Sequence, residues 1–382
     1  MNYFSKYESG ILIPLPKEKL NECNKSYKLG ELFSGPGGLA LGAYNSCSSS
    51  DINSLCITHS WATDNDFNSC QTYMNNYNLK SSTVIQRDIH ELDINSLPEI
   101  DCFAYGFPCN DFSILGEKKG FDGKYGPLYK YGIKVINKFI PDFFVAENVS
   151  GLSSNNDGIA LKKILKDLSE AGNGYNLTPH LYKSEEYGIS QTRHRIIIVG
   201  IKNELNKKFK VPAPITKENY IPVKNILANI SSSLANNENT RQSLEVVNRL
   251  KFIKPGENAW NADIPEYLQL NVKGARLSQI YKRLHPDKPS YTITGSGGGG
   301  THGYHWEEHR ALTNRERARI QSFPDNFIFY GSKESVRKQI GMAVPPLLSK
   351  IIFTSILHTL NNVRYESVTE NIKFDTEVSL FK

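Results

Sequence analysis

The sequence predicts an α/β protein, a doubly wound parallel sheet with helices on both faces, carrying a smaller and more irregular second region. Three observations lead there. Over the first 200 residues, short apolar runs alternate with helix-like stretches, the rhythm of strand–helix–strand units. After Gly200 that rhythm fades into segments rich in Pro, Asn and Ser, and a glycine run follows at Gly295–Gly300. Helical periodicity then returns towards the C-terminus. A length of 382 residues suits one large core and one smaller lobe, at roughly 100–200 residues per domain.

Strands are expected at 27–33, 56–63, 83–86, 101–105, 143–146 and 195–200. A helix over 159–168 carries Leu161, Ile164, Leu165 and Leu168 at three- and four-residue spacing and stops before Gly172. Thr313 and Glu316 form a capping box at the start of a helix over 313–322. Two more helical patterns cover 333–340 and 346–360, and the polar tail after Val363 is expected to be peripheral.

Composition narrows the function classes. The chain is 39% hydrophobic and 22% charged, too apolar for a disordered protein. Its best membrane candidate, 344–357, is broken by Pro345, Pro346, Ser349, Lys350 and Ser355, whereas a span needs ~18–20 apolar residues. The N-terminal residues lack the basic-then-apolar order of a secretory signal, so a cytoplasmic protein is expected. A net charge of +6 permits a polyanionic partner without demanding one. Six cysteines, at 23, 47, 56, 70, 102 and 109, all fall in the first third with no CxxC pair, which reads as reduced thiols, not as a disulfide framework or a zinc site.

Five motifs carry candidate chemistry. ELFSGPGGLALG at 31–42 runs a strand through a glycine-rich turn into a helix, and its spacing is not the GxGxxG of dinucleotide folds. Asp64 and Asp88 follow the next two strands, where a carboxylate can meet ribose hydroxyls or an exocyclic amine, or simply cap a helix. Cys109, in YGFPCNDFS at 105–113, sits beyond its strand and not within it, a place for a nucleophile. Glu147 in ENV and the guanidinium groups of QTRHR at 191–195 are polar insertions between apolar runs, suited to catalysis or to an ordinary salt bridge. Finally, His305 and His309 fit an HxxEH zinc pattern, but a four-glycine run stands just upstream and no helix is expected before Thr313, so no metal site is expected.

Taken together, ELFSGPGGLALG, GFPCNDFS, ENV, QTRHR, LTNRERARIQSFPDNF and QIGMAVPP resemble, in order and spacing across 28–360, the motifs of the C5-cytosine-specific DNA methyltransferases. The resemblance implies a Rossmann-like S-adenosylmethionine-dependent catalytic domain over 25–211, completed by C-terminal helices at 333–362. It implies a target-recognition domain at 212–325, leaving 363–382 as a tail. Cys109 would be the nucleophile, Glu147 the acid at N3, and Arg195 the partner of O2, with Arg193 in support. S-adenosylmethionine would meet Phe33, Gly35, Gly37, Gly38, Asp64, Asp88 and Leu128. Duplex DNA would meet Ser113, Arg276, Arg283, Thr292, Gly297 and Gly298.

A monomer is expected, with a cognate restriction endonuclease as its functional counterpart. The chain departs from the usual family pattern at Asn110, where Gln is common, and at Met342, where Asn is common. Two alternatives share these motifs: a transfer-RNA cytosine-5 methyltransferase, whose Cys-Phe-Thr signature this chain lacks, and a catalytically silent DNA-binding regulator, against which the intact Cys109, Glu147 and Arg195 argue.

Overall fold

The computed structural model describes residues 23–50, 53–108, 128–153, 158–271, 277–295 and 299–374. Its strands are β1 (Lys25–Leu32), β2 (Cys47–Ser49), β3 (Ser54–Asp64), β4 (Val84–Gln86), β5 (Cys102–Gly106), β6 (Phe143–Val149), β7 (Tyr175–Lys183), β8 (Gln191–Thr192), β9 (His194–Lys202), β10 (Val211–Pro212), β11 (Ser290–Tyr291) and β12 (Ser367–Val368). The helices are α1 (Gly38–Tyr44), α2 (Phe67–Tyr77), α3 (Tyr129–Phe139), α4 (Ile159–Ser169), α5 (Val223–Leu227), α6 (Leu244–Leu250), α7 (Asn314–Ile320), α8 (Lys333–Met342) and α9 (Pro346–Leu360).

The main sheet has the order β2-β3-β1-β5-β6-β9-β7, with β4 also paired to β3. Its centre is parallel: β3, β1, β5 and β6 run the same way. Beyond β6 the expected all-parallel arrangement fails. β9 is antiparallel to both β6 and β7, and β2 is antiparallel to β3. The 184–193 turn links β7 to β9 directly, and so short a connection can join only antiparallel neighbours. β7 itself was not expected from the sequence, because Asn176, Thr178, Pro179 and His180 break up its apolar pattern.

Central strands read as unbroken apolar runs because both faces are covered. Along β9, Ile196 and Ile198 face one core with Trp61, Phe103, Tyr105 and the helices α3 and α4. Ile197, Val199 and Ile201 face the opposite core, where α9 supplies Leu347, Ile351 and Phe353. Within Lys333–Leu360 the most apolar stretch satisfies the length and composition of a membrane span, but 89% of it is buried inside the protein. Helix α9 lies against α1 so closely that a Cβ on Gly42 would stand 2.3 Å from the Lys350 nitrogen.

A third core joins α5, α7 and α8 through Val223, Ile320 and Ile340, with Leu312, Phe323 and Phe327 from the flanking turns. A fourth, around Leu250, Ile253, Ile264, Tyr281 and Tyr304, belongs wholly to the irregular region. Glu316 and Thr313 make the expected reciprocal capping box. The tail is tied down in its described part: β12 pairs with β10, and the Asn371 side chain bonds both the N–H and the carbonyl of Leu181 along the open edge of β7.

Candidate active site

Five strand ends of the parallel sheet, those of β1, β3, β4, β5 and β6, open onto one cavity of about 360 Å³. The turn after β1 forms its floor. Phe33 (φ 54°), Gly35 (φ 53°) and Gly37 (φ 95°) all hold left-handed backbone, which a phenylalanine adopts only when its surroundings impose it. The imposing contacts are Ser34 N–H to the Thr63 carbonyl at 3.1 Å and Gly35 N–H to the Asp64 carboxylate at 2.9 Å. Gly37 shapes the turn and does not line the cavity, for a Cβ there would come within 2.9 Å of both Tyr73 and Tyr77.

Asp64 closes β3 with its carboxylate held by the N–H groups of Gly35 and Asp66. Burial raises its pKa, those two donors oppose the rise, and the Lys338 ammonium also lowers it. Asp88, half-exposed after β4, accepts from the His90 backbone N–H at 2.9 Å and pairs with the His90 ring at 2.7 Å. Phe33, Gly35, Gly38, Asp64, Asp88 and Leu128 all line this one cavity.

On the other side stand the acid and its cations. Glu147 pairs with Arg195 at 2.9 Å, each side chain 13% exposed. Burial raises the Glu147 pKa, and Arg195 and then Arg193 pull it back. Gly106 is paired with Glu147 in register, and a Cβ on it would be 3.1 Å from the carboxylate. Pro108, next to Cys109 in sequence, lines the same cavity as Glu147. Cys109 itself lies outside the described residues, as do Ser113, Arg276, Gly297 and Gly298. Of the remaining cysteines, Cys56, Cys70 and Cys102 are buried, and burial pushes the Cys70 thiol up to about 12.

Arg193 is 1% exposed and acts as a brace, donating to the carbonyls of Ile293 at 3.2 Å and Ala343 at 3.0 Å. Thr292 donates its hydroxyl to the Thr192 carbonyl at 2.6 Å, securing the segment after β11 to β8. Arg283 corrects an expectation. It is 3% exposed, inside the fourth core, with its guanidinium donating to the carbonyls of Leu250, Ile253, His305 and Glu308, so it does not face DNA here. A basic stretch in sequence cannot distinguish a surface arginine from one that gathers orphan carbonyls inside a small irregular lobe. His305 Nδ1 accepts the N–H groups of Glu307 and Glu308.

Several residues of the site were not singled out from sequence. Glu31 is 1% exposed at the cavity wall, bonded by the Tyr73 hydroxyl, and burial raises its pKa to about 8. Asn148 donates to the Phe107 carbonyl at 3.0 Å and so sets the chain leading to Cys109. Gln191 accepts from Ile293 N–H and donates to Gln321, which donates to the Ile340 carbonyl, linking three of the motif segments. All four lie inside motifs already quoted, and their positions there were the available signal. Met342, noted as a departure, also lines the cavity.

The family model described as C-5 cytosine-specific DNA methylase matches residues 27–358. The chain is 54% identical over 361 residues to Type II methyltransferase M.BbvI of Brevibacillus brevis, covering 92% of this chain and 96% of the relative. It is 38% identical to Type II methyltransferase M.NgoFVII of Neisseria gonorrhoeae, covering 91% of each. The fold is also that of the Schizosaccharomyces pombe Dnmt2 methyltransferase, with a TM-score of 0.56 at 17% identity over 88% of this chain and 99% of that one. With its strand-end cavity, buried acid–arginine pair and a family match over residues 27–358, the chain belongs to the C-5 cytosine-specific DNA methylase family.

Proposed function

We propose that this cytosine-5 methyltransferase modifies a flipped cytosine within a specific duplex sequence through a covalent bond to Cys109, as the modification arm of a restriction system. The observation that carries the proposal is the meeting of Glu147, paired with Arg195, and of Pro108, next to Cys109 in sequence, with the glycine turn around a single cavity.

The residues suit the chemistry. Carbon 5 of cytosine is too weak a nucleophile to take a methyl group unaided. A thiolate adding at carbon 6 moves electron density to carbon 5 and negative charge towards N3. Cys109 supplies that thiolate. Glu147, its pKa raised by burial, holds a proton for N3. Arg195 steadies Glu147 and reaches the O2 edge, and Arg193 fixes the strand beneath both. After transfer a solvent water takes the carbon 5 proton, the electron pair of that C–H bond restores the C5–C6 double bond, and the C6–S bond breaks to release the Cys109 thiolate. A base within a duplex cannot present carbon 6, so it must be everted, at a cost of a few kcal/mol.

The cavity fits S-adenosylmethionine, which supplies an electrophilic methyl group. Ser34 Oγ is buried there with no partner among the described residues, Phe33 and Leu128 offer apolar surface, and the carboxylates of Asp64 and Asp88 offer acceptors for ribose and amine groups. We assign 25–211 with 333–362 to catalysis and 212–325 to target recognition, with Thr292 and the unplaced residues Ser113, Arg276, Gly297 and Gly298 on the DNA side. A monomer working in the bacterial cytoplasm, on the nucleoid when DNA-bound and beside a cognate endonuclease, accords with this reading.

Cys109→Ala is expected to abolish methyl transfer to duplex DNA while cofactor binding, followed by calorimetry, survives. Retained transfer refutes the nucleophile assignment. Bisulfite sequencing of a host expressing the chain should reveal one modified cytosine context, and an unmodified genome defeats the reading altogether.

A further inference from the structure

At the seam between the catalytic cavity and the segment after β11 lies a group of cations that form no ion pair with a carboxylate among the described residues. Arg317, 3% exposed on α7, donates to the His302 carbonyl, and burial lowers its pKa to about 10. Arg337, half-buried on α8, donates to His302 Nδ1 at 2.9 Å, and its Nε is buried with no partner among the described residues. Lys338 follows on the same helix, exposed and close enough to Asp64 to lower that acid's pKa. His302 itself is neutral, since burial and the two guanidinium groups lower its pKa to about 4. Among the described residues, no carboxylate forms an ion pair with Arg317, Arg337 or Lys338. Glu316, the acid beside Arg317, is already held by both terminal nitrogens of Arg310.

The contrast with the neighbouring arginines is instructive. Arg319 is paired with Asp325, Arg249 with Glu245, and Arg315 donates to three carbonyls. Those guanidinium groups are compensated within the fold. Arg337 gives one terminal N–H to a neutral imidazole and holds its Nε away from solvent, so the half-buried guanidinium carries its charge with no anionic partner among the described residues and leaves its terminal end to meet an acceptor from outside. A guanidinium's planar fork matches a phosphate oxyanion, which offers several acceptors at once.

The location identifies the source of that oxyanion. Helix α8 and the segment after β11 touch backbone to backbone: a Cβ on Gly341 would lie 2.0 Å from the Gly295 nitrogen, and one on Gly295 would lie 2.7 Å from the Lys338 carbonyl. Met342, one turn along α8, lines the cavity that holds Glu147. This seam borders the cavity into which the proposed function everts a base towards Glu147, so a strand bound there has a backbone for the seam to hold. We infer that Arg337 and Lys338, with His302 orienting Arg337, form a DNA phosphate clamp on α8, outside the target-recognition region. This deepens the proposed function and rests on it. The clamp carries no sequence information; it positions the strand, as backbone contacts do.

The test is the salt dependence of duplex binding, measured with the full chain by fluorescence anisotropy. Each phosphate contact contributes about 0.9 to the slope of log K against log salt. Arg337→Gln should lower the slope by about that amount and weaken binding about five- to tenfold near 0.1 M salt, for cognate and unrelated duplexes alike. Arg337→Lys should restore most of the slope. Lys338→Gln alters an exposed side chain whose loss does not threaten folding, and it should act in the same direction.

The competing oxyanion is the carboxylate of the cofactor. Calorimetry of S-adenosylmethionine binding without DNA separates the two, and the affinity should be unchanged in Arg337→Gln, which stands away from the cofactor's acceptors. An unaltered salt slope in Arg337→Gln and Lys338→Gln, or a loss confined to cofactor affinity, overturns the clamp. A wild-type chain that binds no duplex defeats the functional reading together with the clamp.

Discussion

Glu147 Oε1 and Arg195 Nε stand 2.9 Å apart at the mouth of two adjacent antiparallel strands, β6 and β9. Burial raises the acid's pKa, and the guanidinium is the strongest influence holding it down. If protonated Glu147 serves the reaction, activity is lost as pH rises through its pKa. Removing the cation by Arg195→Gln moves that pKa further up, so the alkaline limb of the pH–rate profile should shift to higher pH as the rate itself falls. Glu147→Ala should lower kcat by about 10²–10⁴. An alkaline limb that stays in place in Arg195→Gln contradicts the coupling.

Glu31 makes a separate prediction about stability. Its folded pKa is about 8 against an ordinary 4.5, because burial disfavours the charged form. Between those values the unfolded chain has released a proton that the folded chain retains, so stability falls as pH rises from about 4.5 to about 8 and levels off above. The full effect is roughly 4–5 kcal/mol. Glu31→Gln keeps an acceptor for Tyr73 and does not titrate. Urea unfolding of the two proteins from pH 5 to pH 8.5 should show a stability difference growing in favour of the variant; a constant difference would falsify the assignment.

Gly42 tests how closely the C-terminal helix is built into the catalytic core. A side chain there would meet the Lys350 nitrogen at 2.3 Å and the Ser349 Cβ at 2.4 Å, so Gly42→Ala must part α1 from α9. A loss of at least 1–3 kcal/mol, about the cost of overpacking, is expected in chemical denaturation. Gly151→Ala, whose Cβ would meet nothing within 4 Å, should stay within about 0.5 kcal/mol. Equal effects at the two positions would show that the close approach is unimportant.

Arg283 discriminates a structural arginine from a DNA contact. Arg283→Met leaves four carbonyls of the irregular lobe without their donor. Unfolding should occur at lower denaturant, by about 2–4 kcal/mol, while the salt slope of duplex binding below the transition stays at its wild-type value. A slope reduced by about one with stability intact would return Arg283 to the DNA surface.

Much of the site was legible because its signals are local. The end of each central strand follows from where an apolar run stops, and Phe33, Asp64, Asp88, Pro108 and Glu147 are the residues standing at those ends. The capping box and the helix at 346–360 are equally local, since they depend on residues three or four apart. Arg283 was misread because its charge is visible in sequence and its burial is not. Glu31 was passed over because the hydroxyl that meets it, on Tyr73, lies 42 residues away.

The sequence by itself determined the strand ends, the glycine turn and the order of the motifs, and with them the family, because these depend on neighbouring residues and their spacing. Only the tertiary structure decided that β9 runs against the sheet, that Gln191 and Gln321 join separate motifs, and that Arg337 Nε is buried with no partner among the described residues. Direction, pairing and desolvation arise where distant segments meet, and a linear pattern does not record which surfaces will exclude water.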